Sequence, residues 1–415
     1  MRNQKFSLGL TVVLAMIAGN LLGGGTRAAA QETVLYNFTG GGDGRNPYTS
    51  LIFDSSGNLY GTASSGGEGS GVVFELKAAG GGGWTEEILH SFTDNGTDGT
   101  LPVDGLSFDS AGNLYGTTSF GGAYNFGTVF ELTRSSGGGW KERVLHSFNN
   151  DGKDGNYPRS GLILDASGNL YGTTPMGGVH NGGTVFELVR KSGGSWPEKV
   201  LCSFPNATNI YSSGPENANL IFDSSGNLYG TTQAGGAHNY GSVFELSPTA
   251  SGAWTPKLLH SFDYNGKDGF SPEAGVIFDS LGNLYGTTNF GGADNGFGTV
   301  FELSPHAGGG WTETILFSFS SAGAGTFPTG NLVSDSSGNL FGTTYSGGGY
   351  NGGTVFELTP SAGGNWTWSL LHNFGNGTDG SAPWASLVFD SRGNLYGATL
   401  DGGADGSGTV FEITP

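Results

Sequence analysis

The chain predicts an all-β protein: a seven-bladed β-propeller of four-stranded blades, its ring closed by the N-terminal strand pairing into the last blade. Three observations carry this. The heptad GNLYGTT, or a close variant, returns seven times, its Asn falling at Asn58, Asn113, Asn169, Asn227, Asn283, Asn339 and Asn394, at intervals of 55 to 58 residues. The same β-type runs flank every return in the same order. The last unit stops one run short, and the missing run stands at the other end of the chain.

Each unit reads as four short strands. The first ends in Asp, as LIFD, LSFD, LILD, LIFD, VIFD, LVSD and LVFD. Asp-x-x-Gly-Asn then makes a tight hairpin, its Gly supplying the positive φ such a turn needs. The heptad is the second strand. The third is VFEL, with Glu75, Glu131, Glu187, Glu245, Glu302 and Glu357, and VFEI with Glu412. The fourth opens after Trp84, Trp140, Trp196, Trp254, Trp311 or Trp366 and ends in LHSF or a variant. Four strands in a unit of this length describe a propeller blade. The alternative, a parallel β-helix, has shorter coils and would not explain the displaced strand. That strand is TVLYNF, Thr33 to Phe38, expected to pair with Thr409 to Ile413. Closure in this way removes the free edges of an open sheet.

Composition agrees. The 81 Gly among 415 residues sit at fixed offsets between strands rather than in a structureless run, and no stretch after the N-terminus shows helical apolar spacing. Residues 1–30 read as a secretory signal, with Arg2 and Lys5, a short apolar run from Phe6 to Ala18, and Ala28-Ala29-Ala30 as a cleavage site. The apolar run is too short to span a bilayer. Residues 31–415 are then the propeller. Cys202 is the only Cys, so no intramolecular disulfide forms. The net charge is −19, and loss of Arg2, Lys5 and Arg27 with the signal makes it more negative. Such a chain repels phosphate, which excludes nucleic acid and anionic membrane surfaces as partners. An exported monomer, not embedded in a membrane, is expected.

The pattern GNLYGTT..GG...N.GTVFEL resembles the GloVer tandem repeat, a Gloeobacter/Verrucomicrobia-type repeat of exported bacterial proteins with varied C-terminal anchors. The resemblance covers residues 33–415 and implies no catalytic residue. The chain ends at Pro415 without a hydrophobic anchor or basic tail, so no anchor to the envelope is expected.

Function is sought on the longer loops, since loops on a rigid scaffold carry it. The GG…N.G and DG..P loops gather on one face. The GG…N.G tips are Tyr124-Asn125, His180-Asn181, His238-Asn239, Asp294-Asn295, Tyr350-Asn351 and Asp405. They offer amide, imidazole and phenol groups around the central opening, suited to a neutral glycan. The competing reading is that each Asn caps its own loop.

Asp43, Asp98, Asp154, Asp268 and Asp379 precede Gly in the DG..P loops, with Ser212 and Ala324 at the same position elsewhere. The ligand pattern of an EF-hand loop is missing, so turns are expected there and no metal. The recurring Glu residues are expected to be structural, satisfied by the Thr pair of the heptad, because no basic residue recurs in register. His90, His146, His260 and His372 share their position with Tyr36, Cys202 and Phe317, which reads as a packing position. No Gly-x-Ser-x-Gly, His-Glu-x-x-His, phosphate loop or Cys pair is present, and no cofactor is expected. The expected function is a secreted binding or scaffold propeller for a polysaccharide or a cell-envelope protein. The alternative is an exported glycan-active lyase or hydrolase with its site over the axis.

Overall fold

The heptad explains itself once its neighbours are in place. In the second blade it forms Leu114–Thr118, between Ser107–Phe108 and Thr128–Arg134, with Trp140–Ser147 outermost. Asp109 holds the turn: its carboxylate accepts the amides of Ala111 and Asn113 and the Asn113 side chain, each at 2.9 Å. Gly112 takes φ 81°. Tyr115 is buried and its hydroxyl lies 3.2 Å from Asp109 and 2.9 Å from Glu131. Gly116 is required because a Cβ there would stand 2.5 Å from Cζ of Phe130. Thr117 donates to the carbonyl of Ser160 in the next blade at 3.1 Å, and Thr118 pairs with Thr128 at 2.8 Å. Every residue of the motif after its Gly therefore has a task within the blade or toward its neighbour.

The structure, a computed structural model, describes residues 30–205, 214–215, 218–293, 296–319 and 322–415, and the proposed signal segment apart from its last residue lies outside these. Among the described residues there is no α-helix; a 3-10 turn stands at Ala322–Ala324. Seven four-stranded antiparallel blades form a ring, a seven-bladed β-propeller. In the last blade Gln31–Asn37 pairs antiparallel with Thr409–Thr414, Thr33 opposite Glu412 and Val34 opposite Phe411. The displaced strand closes the ring where the sequence placed it.

The core lies between blades rather than within one. Leu106 and Phe130 of blade 2 pack with Tyr60 and Val73 of blade 1. Tyr60, Tyr171, Tyr229 and Tyr396 each meet a Phe of the following first strand edge to face, with centroids 5.0–5.1 Å apart. A blade therefore cannot bury its apolar faces alone, as repeat architectures require.

The residues preceding the first strands of blades 1, 2, 4, 6 and 7 (Ser50, Asp104, Asn219, Asn331, Ser386) line one void of only about 20 Å³. Residues from opposite blades can meet only on the axis, so the first strands are innermost and the axis is closed at that level. Asp104 interrupts the pattern there. Burial pushes its carboxyl up to about 6 although the amides of Gly105 and Gly161 both donate to it.

Two corrections follow for the recurring Glu. Its donor is the heptad Tyr, at 2.7 Å for Tyr60–Glu75 and 2.9 Å for Tyr171–Glu187, not the Thr pair, whose first member, as Thr117, bonds a carbonyl of the next blade and whose second, as Thr118 and Thr174, bonds the Thr at the start of the third strand. A basic residue does recur in register: Arg143, Lys199 and Lys257 stand directly opposite Glu131, Glu187 and Glu245 on the outer strands. The Arg143–Glu131 contact is 2.6 Å. The signal was available in the sequence, since each of these basic residues stands three places after the outer-strand Trp and the hairpin register from that Trp to the Glu is unbroken.

Candidate functional site: the loop face

The GG…N.G and DG..P loops share a face, as expected, because short ladders join them. Gly99–Thr100 pairs with Phe120–Gly121, and Gly269–Phe270 with Phe290–Gly291. Each DG..P loop also locks onto the preceding blade. The amide of Tyr157 donates to Phe126, that of Ser271 to Tyr240 and that of Phe327 to Phe297, at 2.8–2.9 Å.

The residue before each Pro pays a conformational cost for this. Asn46, Leu101, Tyr157, Ser271, Phe327 and Ala382 all have φ of 53–60°. A left-handed conformation in a bulky residue costs on the order of 1–3 kcal/mol and persists only where the surroundings enforce it. The ring of pre-proline residues is thus a set of varied side chains held on rigid backbone. Sequence reading passed over it, since nothing local marks the positive φ; the only available signal was variation just ahead of an unvarying Pro.

The tips singled out from sequence are divided by the structure. Asn125, Asn181, Asn239 and Asn351 have φ of 55–64°. The side chains of Asn125 and Asn239 accept the amides of Gly121 and Gly235, at 3.0 and 3.3 Å. That is the loop-capping geometry. Tyr124 and Tyr350 are exposed, as are His180 and His238. The tips lean outward: the amides of Ala123 and Ala237 donate to Ser147 and Ser261 on outer strands. Asp294 and Asn295 lie outside the described residues, as does most of the fourth connecting loop, including Ser212.

What the sequence did not single out is aromatic. Tyr240, Tyr264, Phe270, Phe290, Phe297 and Phe327, from consecutive loops of blades 4 to 6, form one connected group with centroid separations of 5.3–5.8 Å. All but Tyr240 line a cavity of about 240 Å³, with Asp268 and the Gly291-Gly292 turn. Tyr264 is 57% exposed, and Tyr240, Phe290 and Phe297 each expose more than a third of their surface. A second trio, Tyr48, Tyr345 and Trp384, stands near the axis. The outer Trp residues, by contrast, are half-buried or buried, and Trp140 is covered by Arg134 at 4.4 Å.

The DG..P acids make the expected turns: Oδ2 of Asp98, Asp154 and Asp268 accepts a main-chain amide five residues back, at 2.8–3.0 Å. They also meet the LHSF histidines, which the sequence had placed in a packing position. His146 and His372 stand 3.1 Å from Asp154 and Asp379. The His ring packs edge-on against the following Phe as well, so the position does both. The missing piece is a Glu from the next blade's outer strand, at Glu142, Glu198 and Glu313. No spacing within a repeat unites them, because the third group belongs to the next repeat.

The opposite face offers one wide cleft, about 480 Å³ between blades 4 and 5, lined by Tyr229, Asp223, Asp279 and Trp311. Pro305 stands there where Arg134 and Arg190 occupy the equivalent place in blades 2 and 3. Among the described residues no helix is long and apolar enough to cross a membrane.

A family model described as the Gloeobacter/Verrucomicrobia repeat matches residues 24–137, 82–264, 197–376 and 252–415, and the chain belongs to that family. Comparison with curated proteins finds no match. Among solved structures, the chain is similar to an ancestral GH74 enzyme, with a TM-score of 0.60 and 12% identity over 90% of this chain. The match takes in 48% of that chain, so this protein spans about half its length. At that identity the likeness is one of fold.

Proposed function

We propose that this is an exported binding propeller whose loop face takes a neutral glycan. The observation that carries it is the group of exposed aromatic rings around the 240 Å³ cavity in blades 4 to 6. Exposed rings held by neighbouring rings offer apolar surface at little entropic cost, which suits the C–H faces of sugars. The cavity is of a size that holds one or two small rings rather than a macromolecule. The exposed Tyr and His tips on the same face offer further groups for sugar hydroxyls. The net charge of −19 opposes polyanionic ligands.

The catalytic alternative finds less support. The axial acid, Asp104, faces a void too small for a substrate and is held by main-chain amides. The GH74 likeness brings no residue with it.

The test is retention on immobilised neutral polysaccharides by the purified protein and by a variant carrying Tyr264→Ala, Phe290→Ala and Phe297→Ala. Retention should fall at least tenfold with the melting transition nearly unchanged. Equal retention by both would remove the site from this cavity. Shortening of the polysaccharide by the wild type alone would replace binding with catalysis.

A further inference from the structure

The junction between blades 4 and 5 gathers three side chains, each with one buried atom that has no hydrogen-bond partner. His260 lies in the LHSF run of blade 4, Asp268 in the connecting loop, and Glu313 on the outer strand of blade 5. Nε2 of His260 stands 3.6 Å from Oδ2 of Asp268 and 3.6 Å from Oε1 of Glu313. Both distances are too long for hydrogen bonds. Nε2 of His260, Oδ1 of Asp268 and Oε1 of Glu313 are each buried with no hydrogen-bond partner. The Asp268 side chain is 8% exposed, and its other oxygen is committed to the amide of Asp263 at 2.8 Å.

Buried polar atoms left unpaired are costly and call for an occupant. A cation satisfies all three. Ligands ~2.1 Å from a zinc ion are separated by about 3.4 Å; the His260–Glu313 separation of 3.6 Å is close to that, and the donor atoms of the group all lie within 4.8 Å of one another. The donor set, one imidazole and two carboxylates, is that of a borderline divalent ion rather than of calcium, which takes six or more oxygens.

The same three residue types converge twice more, from His90, Asp98 and Glu142 and from His146, Asp154 and Glu198, with donor atoms within 4.8 Å of one another in each group; there the imidazole already bonds the Asp, at 3.3 Å for His90 and 3.1 Å for His146. Oε1 of Glu142, Oε1 of Glu198 and Oδ1 of Asp154 are again buried without partners. At the junction of blades 6 and 7 the same positions hold His372, Asp379 and Glu32, but there His372 bonds Asp379 at 3.1 Å and the three donor atoms do not converge as the other groups do, so it is not counted as a site. The remaining junctions vary as a set. Where Phe317 replaces His, Ala324 replaces Asp and Trp368 replaces Glu, and the two rings stack at 5.7 Å. Where Cys202 replaces His, Pro256 replaces Glu. At the junction of blades 7 and 1, Tyr36 fills the gap itself, its hydroxyl 3.2 Å from both Asp43 and Glu86.

We propose that these three His–Asp–Glu junctions are divalent metal sites, with zinc the ion their donors suit best, clamping each blade to the next at the rim of the ring. The ion would bring adjoining blades together through two side chains of one and one of the other, leaving a coordination position for water.

The experiment strips the purified full chain with a chelator, dialyses it against zinc chloride and counts retained zinc in wild type, His260→Ala and Glu313→Gln. Three equivalents are expected in the wild type and two in each variant, with zinc raising the melting temperature. The isosteric Gln variant guards against simple misfolding. Anomalous diffraction at the zinc edge should place one ion between His260, Asp268 and Glu313. A folded wild type that retains no zinc, variants that keep all three ions, or a melting temperature raised by calcium and not by zinc would each overturn the assignment.

Discussion

On the turn face, Asp109 accepts bonds from two amides, a carboxamide and a phenol, and the same constellation recurs around Asp54, Asp165, Asp223, Asp279 and Asp390. On the loop face, equivalent pre-proline positions carry Asn46, Leu101, Tyr157, Ser271, Phe327 and Ala382, all in one strained conformation with unlike side chains. One repeat therefore produces a face of repeated, saturated hydrogen bonding and a face of repeated backbone with varied chemistry. The first kind of surface has spent its polar groups on folding. The second has its geometry fixed and its contacts open, which is the condition for a binding surface. Substitutions on the two faces should accordingly separate stability from binding.

The largest effect is expected from removing the element that both faces depend on. Deleting residues 31–40 takes away the strand paired with Thr409–Thr414. The exposed edge should lower the melting temperature sharply and favour oligomers, read by calorimetry and light scattering. A truncated protein that melts like the full chain would contradict ring closure as a source of stability.

Next comes the saturated network. Glu187→Leu leaves the Tyr171 hydroxyl without its 2.9 Å acceptor and removes the 4.0 Å ion pair with Lys199. A loss of about 1–3 kcal/mol is expected in chemical denaturation, with polysaccharide retention unchanged. A neutral outcome would show that the Tyr–Glu pairs contribute nothing net.

A smaller, pH-dependent effect belongs to Glu86. Burial, and beside it the charge of Asp43, pushes its carboxyl up to about 7, against the bond from Tyr36. The unfolded chain releases this proton near its ordinary value of about 4.5, whereas the folded protein holds it to about 7. The folded state therefore loses stability as pH rises through that window and the loss levels off above it. Glu86→Gln should flatten this part of the stability profile between pH 5 and pH 8. An identical slope in both proteins would show that Glu86 does not titrate in that range.

The smallest effect on stability, within about 0.5 kcal/mol, is expected from replacing Tyr124, His180, His238 and Tyr350 together by Ala. All four side chains are exposed. Retention on polysaccharide then sharpens the map: loss with these four and not with the Tyr264 group would shift the site from the cavity to the outer tips.

The blade count, the strand order, the turn at each Asp-x-x-Gly-Asn and the closing strand were legible because each is a local pattern repeated seven times. Periodicity of alternating side chains and fixed turn residues need no knowledge of what lies across the ring. The same holds for the Asn tips, whose left-handed conformation follows from a residue type that tolerates it.

Three things were decided only in the folded ring. Tyr115 meets Glu131 because adjacent strands in register bring them together, and Arg143 joins them from the third strand of the ladder. The aromatic group around the cavity is assembled from loops of three blades, so its members are separated in sequence and neighbours in space. His260, Asp268 and Glu313 converge because blade 5 packs against blade 4. Sequence periodicity reports what one repeat does for itself; contacts between successive repeats depend on the angle at which blades stack, and that angle exists only once the ring has closed.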